Sequence, residues 1–229
     1  MRQFKKQIAY LVKHHVVVKP SENGTVIPNG SKIVVSITFD DAFKTVLDNA
    51  VPVLREFGLP AGIFVPTGHI GSRATWEMEP NCSEVDDIIM DKDDILVLDQ
   101  DGYEILSHTV SHPNLTEIGG ERAAFELKES KSVLESILGH EVLAISYPYG
   151  AYNEGICKAA EKAGYRLGFT VEPDWAENAP NHFLIGRFLV SPTDNLLKFK
   201  LKVIGAYRVV KYLRRLKGMI IRSKKTGCR

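Results

Sequence analysis

Two adjacent aspartates, Asp40 and Asp41, close an apolar run, Ile33-Val-Val-Ser-Ile-Thr-Phe39. Two histidines four apart stand in His108-Thr-Val-Ser-His112. Neighbouring side chains on an extended chain point to opposite faces, so both aspartates serve one site only where a strand is ending. One carboxylate can then coordinate a metal while its neighbour faces a bound water. Pro113 and Asn114 follow at once, which makes this a strand-to-loop segment and not the helical HExxH of a zinc protease. Two neutral imidazoles and one carboxylate leave coordination positions open for water, the pattern of a catalytic metal site. A third cluster, Ser146-Tyr-Pro-Tyr-Gly150, reads as a turn after a strand, where the Tyr149 backbone N–H can face a developing oxyanion.

The elements that must position these residues alternate. The run at 33–39 reads as one buried strand. Phe43, Val46, Leu47, Ala50, Val53, Leu54 and Phe57 then fall at helical spacing up to Gly58, and residues 61–65 read as a second strand. Residues 103–107 predict a strand leading into His108, and 121–138 an amphipathic helix closed by Gly139. A strand at 142–146, a helix capped by Asn153 and a strand at 167–170 come next. Such alternation predicts an α/β fold with a parallel sheet, open or closed into a barrel. Chemistry in such folds sits at the C-terminal ends of the strands, where the clusters at 40–41, 108–112 and 146–150 all fall. Residues 1–30 read as a peripheral N-terminal extension rich in turns at its end, and 31–195 as the single catalytic domain. The stretch at 68–102 reads as the longest non-helical segment, a cover for the site that holds Trp76 and an acidic run with a solvated face.

The chain has 229 residues, 44% hydrophobic and 25% charged, a globular composition with room for a real core. Cys82, Cys157 and Cys228 lie far apart, which suits a reducing compartment and argues against a disulfide framework. No run of about 18 apolar residues and no secretory apolar region stands out, so a cytoplasmic protein is expected, peripheral at the inner membrane face. The net charge of +1 hides an asymmetry: residues 195–229 carry twelve Lys and Arg and no acid, leaving the rest near −11. Residues 196–229 thus read as a basic amphipathic helix suited to an anionic membrane surface, while the acidic body opposes nucleic-acid binding.

In order and spacing, the three clusters resemble the polysaccharide deacetylase family, carbohydrate esterase family 4, over roughly residues 32–190. Thr38-Phe39-Asp40-Asp41 matches its first motif and His108-Thr109-Val110-Ser111-His112 its second. The resemblance implies an irregular (β/α) barrel, with Asp40 as catalytic base and Asp41, His108 and His112 as ligands of a divalent metal, Zn²⁺ by ligand preference. It implies removal of acetyl groups from N-acetylhexosamine units of a polysaccharide or lipid-linked saccharide. The third motif departs, with Ser146 where the family commonly has arginine, and Arg187 on a late strand is the expected substitute. Asp174-Trp175 stands where a fourth motif would, in a Pro- and Asn-rich loop. The family's late general-acid histidine has no counterpart, since His182 is the last histidine in the chain; His182 is the candidate for that role. His69 and His140 read as loop histidines. The alternatives are a metal hydrolase of another amide or ester, or a catalytically impaired sugar-binding scaffold at the membrane.

Overall fold

The computed structural model describes residues 2–22, 32–76 and 87–207. Helix α1 (Arg2–His14) leads into strand β1 (Val16–Val18), which pairs in parallel with β2 (Val34–Ser36). The main sheet has five parallel strands: β3 (Thr38–Phe39), β4 (Gly62–Val65), β5 (Glu104–Ser107), β6 (Ala144–Ser146) and β7 (Leu167–Phe169). Between them run α2 (Val51–Glu56), α3 (Lys92–Gln100), α4 (Gly120–Leu138) and α5 (Glu154–Lys162), and α6 (Leu196–Val203) comes after the sheet.

The strands are hydrogen-bonded in chain order, β3-β4-β5-β6-β7. Parallel crossovers are right-handed, so an order that never reverses sends every helix to the same side. The sheet then curls into a half-barrel and is not wound in two directions. Side-chain alternation shows the result. Phe64, Leu106, Ala144, Phe169 and Ile185 form a small apolar cluster inside the curl. Ile63, Val65, Ile105 and Ile145 point the other way, into the larger core shared with the helices. After β7 the chain at Ile185 adds a further parallel bridge to Phe169.

Four expectations are corrected by this packing. The run at 33–39 is two strands: β2 pairs with β1 and β3 with β4, and Ile37 hands over, its carbonyl accepting from the Gly62 N–H (2.9 Å). Residues 2–22 are not peripheral, because α1 buries Ile8 and Leu11 in the main core and β1 extends β2. The acidic stretch at 68–102 contains α3. Its N-terminus is held by a capping box in which Asp91 accepts from the Asp93 and Asp94 N–H groups and Asp94 answers to the Asp91 N–H. Aspartate in both capping positions, with only Ile95 and Leu98 buried beneath, hid the helical period. Finally, the basic helix expected from 196 onward stops at Val203, because Gly205 turns left-handed (φ 71°). Residues 208–229 of that helix, with Cys228, and the stretch 77–86 with Cys82, lie outside the described residues.

One glycine shows how tightly the barrel wall closes. A methyl at Gly168 in β7 would strike the Tyr147 hydroxyl and lie 2.8 Å from the Phe183 carbonyl oxygen. Tyr147 is completely buried and the Phe183 contact is with backbone, so neither neighbour gives way cheaply. Gly168→Ala is therefore expected to lower stability by about 1–3 kcal/mol, read from urea unfolding midpoints.

Candidate active site

The C-terminal ends of the strands meet at one mouth. β3 delivers Asp40 and Asp41, β5 delivers His108 and its loop, and β6 runs through Ser146 into Pro148-Tyr149-Gly150. Five non-glycine residues among those described have positive φ: Asp41, Ala42, Thr109, His112 and Tyr149. All five sit in these three loops. Each such residue costs about 1–3 kcal/mol, and such strain gathers where side chains must be aimed against local preference. At Asp41 (φ 66°) and Ala42 (φ 50°) the turn ends the strand and sends the two aspartates to different partners.

Asp41 faces the histidines. Its Oδ1 lies 3.3 Å from His112 Nε2 and 3.5 Å from His108 Nε2. One donor atom from each of the three lies within 4.8 Å of the others. His108 is buried, and its Nδ1 bonds the Ser146 carbonyl at 2.8 Å. A carbonyl only accepts, so Nδ1 carries a proton and Nε2 is the nitrogen turned to the cluster. Burial, then the neighbouring His108, lowers the His112 pKa to about 3, which keeps that ring neutral. Two imidazole nitrogens and a carboxylate oxygen converging on one point fit a divalent cation such as Zn²⁺.

Asp40 turns the other way, onto Arg187. Arg187 Nη1 and Nη2 clamp its two oxygens at 2.7 and 2.8 Å. The remaining donors reach Thr38 Oγ1 (3.2 Å), Ser146 Oγ (2.7 Å) and the Thr170 carbonyl (3.0 Å), so all five are used. The guanidinium lies over the Phe64 and Phe169 rings and roofs the apolar inside of the barrel. Desolvation alone would raise the Asp40 pKa. The Arg187 charge and hydrogen bonds, with His108 and Ser146, outweigh it and bring the value down to about 2. The guanidinium thus lies directly beside Ser146, the position where the family commonly has arginine.

The rings around His112 complete the site. Trp76 stacks on its face (4.2 Å between centroids) and Tyr149 meets it edge-on (4.8 Å). Trp76 is in turn backed by His69, which is buried and bonded to Thr75 Oγ1 at 2.8 Å. His69 is therefore part of the wall and not an idle loop residue; His140 is a surface residue paired with Asp99. Among the described residues no hydrogen bond, ion pair or ring contact joins His182 to the cluster. Its carbonyl accepts from Gly168 N, one residue before β7 ends, and its side chain is exposed. Asp174 bonds Trp175 N and Asn178, and Trp175 packs on Gly205. Sequence reasoning missed Glu126, a completely buried carboxylate on α4 that bonds the histidine loop. The available signal was a charge on the inward stripe of that helix, between Ala123 and Ser130.

Comparison with known proteins gives the family of the chain and relatives of the same fold. Residues 28–168 match the family model for polysaccharide deacetylases, and the chain belongs to that family. A Bacillus subtilis relative is 32% identical over 158 residues, 69% of this chain and 52% of its own length. The poly-β-1,6-N-acetyl-D-glucosamine N-deacetylase of Staphylococcus epidermidis is 29% identical over 208 residues, 83% of this chain and 67% of that protein. The chain thus spans about half to two thirds of these curated relatives. The fold is shared with a Streptococcus pyogenes deacetylase solved with acetate, at TM-score 0.75 and 24% identity over 88% of this chain and 86% of that one. IcaB from Ammonifex degensii superposes at TM-score 0.72 and 24% identity, covering 88% of each chain.

Proposed function

We propose that this chain is a metal-dependent N-deacetylase that releases acetate from N-acetylhexosamine units of a saccharide. The observation that carries the reading is the division of labour between adjacent aspartates, Asp41 toward two metal-competent imidazoles and Asp40 clamped by Arg187. The substrates of the staphylococcal relatives support the sugar amide as the target. Asp41, His108 and His112 would hold a divalent cation, Zn²⁺ by its preference for such ligands, which would supply Lewis acidity and lower the pKa of a water towards about 7. Asp40 is ionised at neutral pH and takes the proton from the attacking water as the O–C bond forms. Arg187 and Ser146 hold that carboxylate in one orientation, so the base does not have to be reoriented during the reaction. The Tyr149 N–H, set at the mouth by a left-handed backbone (φ 58°), donates to the developing oxyanion. The C–N bond then breaks and the amine takes up a proton. The exposed His182 has no contact with the cluster, so we assign the return of that proton to Asp40. The test is metal analysis with acetate release from β-1,6- and β-1,4-linked N-acetylglucosamine oligomers. Bound metal with no acetate from any acetylated sugar would move the reading to another amide or ester; no metal at all would favour a sugar-binding scaffold.

We also read the segment after residue 195 as a contact for an anionic membrane surface. Leu197 and Leu201 on α6 and Ile204 just after it make an exposed stripe (65%, 36% and 49%) opposite the buried Phe199. Nine further Lys and Arg come after residue 207 with no acid among them. Each basic residue near such a surface adds about 1 kcal/mol. No described helix is long and apolar enough to cross a membrane. Deleting α6 would remove the buried Phe199 from its packing against Tyr10 and leave Asp194 without Lys202, so substitution is the cleaner test. Leu197→Ser/Leu201→Ser/Ile204→Ser, and separately a chain ending at residue 207, are expected to lose most co-sedimentation with phosphatidylserine vesicles. Unchanged sedimentation of both, or equal binding to neutral vesicles, sinks the membrane contact.

A further inference from the structure

The loop that carries both histidines has its backbone N–H groups matched one by one, and two of its carbonyls as well. The Thr109 and Val110 carbonyls accept from the Thr67 and Gly68 N–H groups at 3.0 and 2.8 Å. Thr109 N donates to Ser107 Oγ (3.4 Å), and that hydroxyl is 2.5 Å from Ser130 on α4. His112 N donates to Thr109 Oγ1 at 3.2 Å. The two remaining N–H groups, of Val110 and Ser111, both end on Glu126 Oε2, at 2.9 and 2.8 Å. Glu126 Oε1 takes the Ser111 hydroxyl (2.6 Å) and the Arg122 guanidinium (3.0 and 3.2 Å).

This carboxylate is completely buried, and its hydrogen bonds go to Val110, Ser111 and Arg122, not to Asp40, Asp41 or the two histidines. Its position in the second turn of α4, a 19-residue helix, gives the loop a rigid support. The loop needs one, because Thr109 (φ 67°) and His112 (φ 55°) are both held in the left-handed region without being glycine. Those two turns decide where His108 and His112 aim. Only an ionised carboxylate can accept from two converging N–H groups on one oxygen and from a hydroxyl and a guanidinium on the other. Four donors to a buried anion also explain why a charge is tolerated on the inward face of this helix.

We propose that Glu126 is the positioning residue of the metal centre: through Val110 and Ser111 it holds the left-handed turns that aim His108 and His112 at Asp41, and metal affinity depends on it. The inference rests on the metal-dependent reading given above. Glutamine keeps the shape of the side chain but turns one acceptor oxygen into an NH₂ group. That group must face either the two N–H groups or the hydroxyl and guanidinium. Outer partners of metal ligands typically set affinity by about 10–100-fold when lost.

The experiment is calorimetric titration with Zn²⁺ of the metal-free full chain, for wild type, Glu126→Gln and Leu134→Ala. Leu134 is completely buried on the same helix, away from the loop, so its truncation lowers stability without loosening the clamp. Each variant is titrated at a temperature where circular dichroism shows it folded. The expected result is Zn²⁺ affinity weakened about 10–100-fold in Glu126→Gln and within about twofold of wild type in Leu134→Ala. Wild-type affinity in Glu126→Gln overturns the inference and leaves the metal site standing. Equal weakening in both variants also overturns it, since the effect would then follow stability alone. Absence of Zn²⁺ binding by the wild type removes the metal reading and this inference with it.

Discussion

Asp40→Asn is expected to lower kcat/KM for acetate release by about 10²–10⁴-fold while bound metal stays stoichiometric. The amide keeps the size of the side chain and one acceptor oxygen, but it cannot take a proton from water. It also presents an NH₂ group to Arg187, whose Nη2 lies 2.8 Å from the oxygen being replaced. Some stability is lost with the charge pair. Asp41→Asn at the neighbouring position is expected to behave differently. Its Oδ1 is the atom that the two histidine Nε2 atoms face, so metal content falls together with activity. Acetate release and metal analysis on the same two preparations separate the roles. If Asp40→Asn loses metal as Asp41→Asn does, or keeps wild-type turnover, the assignment of Asp40 as the base is wrong.

Arg187→Ser has the second large expected effect, on stability and activity together. The side chains of Arg187 and Asp40 are only 15% and 30% exposed. Removing one partner of a buried pair costs about 3–5 kcal/mol, and the lower end applies because Asp40 keeps some water. The loss is larger than one ion pair implies. Arg187 also ties Thr38 on β3 to Thr170 after β7, across the open side of the half-barrel. An unanchored Asp40 misplaces the base, and a displacement of about 1 Å can cost about 10²-fold in rate. Arg187→Ser is thus expected to lower the urea midpoint and to reduce kcat/KM about 10²-fold. The double variant Arg187→Ser/Ser146→Arg makes the sharper comparison. Arg187 Nη2 already lies 2.7 Å from Ser146 Oγ, so an arginine rooted on β6 can fill the same space. More activity in the double variant than in Arg187→Ser alone is the expected result. An equally inactive double variant, folded by circular dichroism, would show that the guanidinium must come from residue 187.

Much of this was legible in the sequence because it is encoded locally. Strand ends and helices were read from the spacing of apolar residues and from residues such as Gly139 and Asn153, whose roles depend on a few neighbours. The misreadings at 33–39, at α3 and at Gly205 share a cause. Each turns on pairing, capping or backbone geometry that an apolar pattern does not report.

By itself the sequence determined the candidate donor set, Asp41 with His108 and His112, and the proposed base beside it. Two short motifs carry those four residues, and a strand that ends must expose the residues at its tip. Only the tertiary structure decided which groups hold them in place. Arg187 meets Asp40 across 147 positions, and Glu126 clamps a loop 15 and 16 positions away. Trp76 reaches His112 from a different crossover. A guanidinium near the end of the chain becomes the partner of an early aspartate only when five parallel strands taken in order curl and bring the first edge within reach of the last. Side-chain reach is local, whereas the curl of the sheet depends on every strand in it.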